Sequence, residues 1–506
     1  MADRYWVGGT GTWNNSTTTN WAASSGGAGG ETVPTSTDNV IFDSNSGSGT
    51  VTVAATAASA NCTINQPLTF TFSGNPTFSG TVVCNGTSVT AKVLWQSSTI
   101  GTARTVTSNG SNPTGTYWDI QDITGAGSVT WDFSSITDST AVGNCGNNSN
   151  ITFASPTTQS FSGTGSVTWS TASWTSRVPL PQDTALINNA FSGSPSITVD
   201  MVRLPTVDFT GSTGTVTLST VFGYTYYGSF TNTSNVTLSG GGNGFFRGAS
   251  THTITMAGKS FGAQISVIPR ASGSYTLQDA FSANSVVTFS GNVNATSVNI
   301  TGSTISISGV TGTLTSCTFL PTSTAATTVF TGGTSATSYI TSNITISPTS
   351  TNVRTLSLST GSYGTITYTT AGSTGGLDLT GSASIAGISF SDLTNARTLR
   401  FTAGTTTTIR SAAGWQVNGT ATKLMTVQSI TAATHTLSVA AGTVSSDYLN
   451  LVNSIAGGGA TFYAGANSTD GGGNTGWIFT APPTPSSSRG TVRTQSMANI
   501  LNIQRI

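Results

Sequence analysis

Two segments 145 positions apart carry the same pattern, and this duplication constrains the fold more than any other feature. Val33-Pro34-Thr35-Ser36-Thr37-Asp38-Asn39-Val40-Ile41-Phe42-Asp43 is echoed by Val178-Pro179-Leu180-Pro181-Gln182-Asp183-Thr184-Ala185-Leu186-Ile187-Asn188. Each copy follows two tryptophans, Trp13 and Trp21 or Trp169 and Trp174. Each precedes a short alternating run, Val51-Thr52-Val53 or Ile197-Thr198-Val199. A chain that repeats a whole module is expected to form an extended array, an architecture suited to surfaces and spacers.

Further matches extend the pattern. Ile120-Gln121-Asp122 followed by Val129-Thr130-Trp131 is paralleled by Leu277-Gln278-Asp279 followed by Val287-Thr288-Phe289. Tyr448 to Asn453 aligns with Tyr117 to Asp122 at an offset of 331. The modules read as 1–155, 156–330 and 331–480, with 481–506 as a Pro/Ser linker and short docking peptide.

Between these landmarks, short alternating runs such as Leu68-Thr69-Phe70-Thr71-Phe72 and Ile305-Ser306-Ile307 are separated by Ser-Gly, Asn-Gly or Thr-Gly steps. Alternation puts the apolar residues on one face of a strand and Thr or Ser on the other. Only 6% of residues are charged, Glu31 is the only glutamate and Lys92, Lys259 and Lys423 are the only lysines. A helical architecture needs such residues on its exposed faces. The class is therefore all-β. The short strands and irregular repeat lengths favour a β-solenoid (parallel β-helix-like) rod; tandem β-sandwiches are the alternative. One continuous solenoid of this size would be a rod of order 100 Å. Disorder is not expected, because 22 phenylalanines and 10 tryptophans need a core.

Acidic and basic residues balance at 16 each without a basic run, so no nucleic-acid partner is expected. Met1-Ala2-Asp3-Arg4 runs into Tyr5-Trp6-Val7 without the apolar core of a signal peptide, so synthesis in a cytoplasm is the expectation. No apolar run reaches the length of a membrane span, and no membrane insertion is expected. Cys62, Cys84, Cys145 and Cys317 read as small buried hydrophobes.

Catalytic chemistry finds few candidates. Glycoside hydrolysis needs two facing carboxyls, and the closest pairs in sequence are Asp119 with Asp122 and Asp132 with Asp138. Residues three apart on a strand face opposite sides, so Asp119 and Asp122 are read as turn-formers. Asp38 and Asp183, which recur after Val-Pro, are read as caps of backbone amides. His252 and His435 sit in no metal-binding or triad spacing, and Asn467, Asp470 and Asn474 read as a Gly/Asn turn before a calcium loop. No catalytic residue, cofactor or metal is assigned. Tyr224, Tyr226 and Tyr227, with Phe245, Phe246 and Arg247 nearby, form an aromatic cluster. Alternation would bury Tyr224 with Tyr226, and the candidate surface-contact residues are Tyr227, Phe245, Phe246 and Arg247, since aromatic faces anchor sugars and protein partners.

At the C-terminal end, Ala481-Pro482-Pro483-Thr484-Pro485-Ser486-Ser487-Ser488 reads as a proline-stiffened linker. Ser496 is a candidate N-cap for a helix from Met497 to Ile506. Met497, Ile500, Leu501, Ile503 and Ile506 are the candidate docking residues, through which the chain would grip a neighbouring subunit or a larger assembly.

The opening Arg4-Tyr5-Trp6-Val7-Gly8-Gly9-Thr10-Gly11-Thr12-Trp13, the Val33 to Asp43 segment and the ending Tyr463 to Phe479 resemble Gly/Ser/Thr-rich β-helical proteins of bacteriophage virions, of the tail-fibre, spike or head-decoration type. Similar openings occur in bacterial autotransporter-type adhesins, from which this chain departs by lacking a secretion signal at this terminus. The resemblance implies a homo-oligomeric, trimeric appendage on the virion surface. It would meet other virion proteins through its tail and a host surface glycan or receptor along its rod. A capsid decoration or cement protein, a bacterial surface adhesin and a polysaccharide depolymerase are the alternatives.

Overall fold

The alternating runs are strands, and each points its apolar side chains inward. In the computed structural model, residues 1–483 are described except 271, 326, 348, 370–373 and 391–393. Strand Thr69–Phe72 buries Phe70 and Phe72 while Thr69 and Thr71 face outward. Strands Thr50–Val53 and Ser196–Val199 do the same with Val51 and Val53, and with Ile197 and Val199. Each strand bonds in parallel to its counterpart one turn later, so like side chains stack: Val51 lies on Phe70, Phe70 on Trp95 and Trp95 on Ile120. The result is a β-solenoid of about 19 turns, 45% strand and 1% helix. Among the named strands the sole antiparallel pair joins Tyr5 and Trp6 to Ala22 and Trp21. Tandem sandwiches, which depend on antiparallel pairing, are thereby excluded.

The repeated modules share conformational detail. Asp38 accepts the Thr35 amide at 3.0 Å and the Ala2 amide at 3.2 Å. Asp183 accepts the Leu180 amide at 2.9 Å and the Thr157 amide at 2.9 Å. Both aspartates thus cap the amide three residues back and tie in the strand that enters the module. Tyr117 and Tyr448 share positive φ (48° and 57°), as do Asp122 and Asn453 (54° each), so the match at offset 331 is a match of backbone shape.

The coils do not form one rod. No sheet crosses the junction between strand Ile151–Thr152 and strand Thr158–Ser160. One aromatic-rich core runs from Trp6 to Val142 and a second from Phe161 to Trp477. The boundary read at 330, by contrast, interrupts nothing. A 13-stranded sheet continues from Arg203–Leu204 to Thr469–Asp470, so the second and third modules are a single stack. At about 4.8 Å per step this sheet spans roughly 60 Å, which replaces the longer single rod expected from the sequence. All four cysteines are free and buried. No helix is long and apolar enough to cross a membrane among the described residues.

Candidate functional site

The two stacks meet along strand Trp118–Gln121, all four residues of which are buried. Pleating explains the pattern. Trp118 and Ile120 face the first core, whereas Asp119 and Gln121 face outward and are covered by the second stack. Asp119 takes Lys92 at 3.1 Å on one oxygen and Arg203 at 2.5 Å on the other. Gln121 accepts a hydrogen bond from the Tyr227 hydroxyl at 2.5 Å. Asp122 pairs with Arg270 and also accepts Asn147 at 2.7 Å. Arg203, Tyr227 and Arg270 belong to successively later turns of the second stack. The strand therefore runs along several turns of its neighbour. Closer to the junction, Arg177 donates to the Thr137 carbonyl at 3.0 Å and holds Asp183 at 2.6 Å. Gln182 accepts the Asn144 amide at 2.8 Å.

Electrostatics in this seam are set by burial. Burial alone would push the Asp119 carboxyl up, yet Lys92 and Arg203 hold it below the usual carboxylate range. For Arg203, burial opposes the charged form, but Asp119 more than offsets it and the net shift is upward. Arg247 makes no ion pair among the described residues, although Asp122 and Tyr227 favour its charged form. Burial, and then the neighbouring Arg270, push it down from the usual arginine range. Its Nε is buried without a hydrogen bond, and its guanidinium lies 4.3 Å from the centre of the Phe245 ring.

A cleft opens on each side of the Tyr227–Gln121 bond. One, about 260 Å³, is lined by Gln96, Gln121, Arg203, Tyr224, Tyr227, Phe245 and Arg247, with Leu94 and Val202 at its edges. The other, about 360 Å³, is lined by amides and small residues, including Asn144, Asn147, Gln182 and His252.

The sequence-read contact residues divide here. Tyr227, Phe245 and Arg247 line the smaller cleft, but Phe246 is fully buried in the second core, stacked on Tyr226 at 4.7 Å. Tyr227 is not a free surface residue either, because the first stack covers it. They were chosen as aromatic and cationic contact residues; alternation along Gly244–Phe246 turns Phe246 inward, and a long-range contact closes over Tyr227. Tyr224 and Tyr226 are buried together, as alternation requires.

The turn-former reading of Asp119 also needs correction. Asp119 is mid-strand and spent on two cations. Asp122 does occupy a turn, and its left-handed backbone carries it to the same seam, which strict alternation would forbid. Asp132 and Asp138 each accept the amide two residues on, from Ser134 and Thr140. Asp470 does so with Gly472 and also accepts Asn474, the ordinary bonding of a turn. Among the described residues no three His, Cys, Asp or Glu side chains converge as a metal-holding group. The docking candidates Met497, Ile500, Leu501, Ile503 and Ile506 lie outside the described residues.

Sequence reasoning missed Lys92, Asp119, Arg203 and Arg270 as a group. The sequence marks them by composition alone: Lys92 is one of only three lysines in a chain with 6% charged residues. No protein-family model matches the chain, and no curated protein or solved structure matches it.

Proposed function

We propose that the chain is a non-catalytic structural protein of a bacteriophage virion, a homo-oligomeric tail fibre or spike that contributes to host-surface attachment. The observation that carries this reading is the cleft between the stacks. It presents an aromatic ring, a guanidinium and the half-buried Gln96 amide, while the nearest carboxylates are consumed by ion pairs. Such a lining suits binding: aromatic faces take up ring faces, and amides read hydroxyls. Glycoside cleavage instead needs two carboxyls free to face a bond, and Asp119 and Asp122 are both shut from solvent. The outward Thr and Ser rows and the even charge balance fit a rod that resists nonspecific adhesion.

Immunogold electron microscopy of assembled particles, with an antibody against the second stack, tests the reading. Label on the tail or its fibres is the expected result. Label spread over the head would make the chain a decoration protein, and particles without label would point to a bacterial adhesin. Release of oligosaccharides from host polysaccharide by the purified protein would overturn the non-catalytic assignment.

A further inference from the structure

We infer that the smaller cleft beside Tyr227 is a binding site for an acidic saccharide, a sugar ring that bears a carboxylate; this rests on the attachment reading and names its ligand class. Three independent features converge on it. The first is charge. Lys92, Arg203, Arg247 and Arg270 lie along the seam, and only Asp119 and Asp122 answer them. Asp119 is shared by Lys92 and Arg203, and Asp122 is taken by Arg270. The Arg247 side chain makes no ion pair among the described residues, its Nε is buried without a hydrogen bond, and it lines the cleft. Asp122 lies near enough to favour the Arg247 charge but is already paired with Arg270, and a guanidinium with no ion pair of its own can take a further anion, its planar fork matching a carboxylate.

The second feature is the aromatic floor. Phe245 is half-buried, carries the Arg247 guanidinium over one ring face and lines the same cleft as Tyr224. An apolar ring face beside a cation accommodates a pyranose ring whose carboxylate projects from its edge. Gln121 is buried and spent on Tyr227 and Gln96, but Gln96 is half-buried in the same lining, and after bonding Gln121 and Thr71 its amide keeps one N–H and one lone pair for a sugar hydroxyl.

The third is the rim. Val202, Val221 and Phe222 are exposed at 39%, 61% and 40%, among the few large apolar side chains of this chain left in solvent. Val202 lines the cleft, and Val221 and Phe222 directly precede Gly223, which also lines it. Exposed apolar side chains gathered at a cleft mouth mark a contact surface. A cavity of about 260 Å³ holds one or two sugar rings, so a longer chain would run out over Phe222.

The test is calorimetric titration of the full chain with two probes, tetragalacturonate and oligosialic acid, with cellotetraose as the neutral control. Saturable binding of at least one acidic probe, absent for cellotetraose and weakened at least tenfold by Arg247→Gln, is expected. Phe245→Ala should weaken it comparably, and Phe222→Ala should weaken tetragalacturonate more than galacturonate, titrated as a single-ring comparison. Thermal melts of the variants check that the fold persists. Saturation by neither acidic probe, or saturation untouched by both Arg247→Gln and Phe245→Ala, overturns the assignment. The same labelled protein is applied to host cells. Cell binding without saccharide binding overturns this inference alone and leaves attachment standing; saccharide binding in a chain found on the capsid shell overturns attachment and leaves the site.

Discussion

Arg203 and Asp119 are 84 positions apart in the chain and 2.5 Å apart in space, and through them the two solenoids are joined. The Asp119 side chain is shut from solvent, Arg203 nearly so, and Lys92 closes the triad from the first stack. A buried charge is tolerated only while its partners stay. The seam is therefore a specific lock between two stacks that each have their own core.

Asp119→Ala strands two buried cations and should cost about 3–5 kcal/mol. Because each core is separate, the loss should appear as uncoupling. Differential scanning calorimetry should resolve an early transition of the first stack, and the segment 153–158 should become open to protease. Replacing all three of Lys92, Asp119 and Arg203 by apolar residues of similar volume should restore most of the stability. An Asp119→Ala protein that still melts in one unshifted transition would show that the triad does not hold the stacks together.

Trp95 is the centre of the first core. Its ring lies 4.8 Å from Trp118 and 4.9 Å from Phe72, with Phe70, Phe78 and Trp131 each at 6.3 Å. Trp95→Ala should destabilise the first stack by about 3–5 kcal/mol. The second stack shares none of these contacts, so when Trp95→Ala is combined with Asp119→Ala, which uncouples the stacks, the melting transition of the second stack should stay where Asp119→Ala alone puts it. A single cooperative shift of both would contradict the two-core arrangement.

His435 is stacked on Phe401 at 4.8 Å, and its Nδ1 lies 2.9 Å from the Ser429 hydroxyl. Burial pushes it down to about 4. In the unfolded chain it takes a proton near its ordinary value, whereas in the fold it stays neutral. Between about pH 6.5 and 4 the unfolded state thus binds more protons, and stability falls as pH falls, by about 3 kcal/mol at most from this group. His252 is also pushed down by burial and acts with the same sign. The lowered Asp119 adds a loss only at lower pH, as that carboxylate is protonated. Thermal melts at pH 7 and pH 4.5 should differ, and His435→Phe should shrink the difference. An unchanged difference in that variant would assign the effect elsewhere.

What the sequence made legible was local. The caps at Asp38 and Asp183 act over three residues, so their recurrence after Val-Pro was enough to read them. The inward rows, such as Phe70 with Phe72, follow from a period of two. The seam was not legible, because Asp122 and Arg270 are 148 positions apart and a single long-range contact leaves no periodic mark. For the same reason Tyr227 read as a surface residue. The continuity of the second stack past residue 330 was hidden as well, since turns of irregular length still stack in parallel once their strands align.

The last described strand, Trp477–Ile478, is packed into the second stack ahead of the proline-rich segment. Trp477 in the last strand packs against Phe462 at 5.1 Å and Trp415 at 6.2 Å, and its indole donates to Ser454. The sequence from Pro482 to Ser488 offers no large apolar residue for a core. Removing 482–506 should therefore leave the melting transitions of both stacks unchanged. If Met497, Ile500, Leu501, Ile503 and Ile506 grip the particle, the truncated chain should be soluble and folded yet missing from purified virions on immunoblots. Its presence there at the full-length level would show that the particle holds the chain by another surface, and the exposed rim at Val221 and Phe222 would be the next place to look.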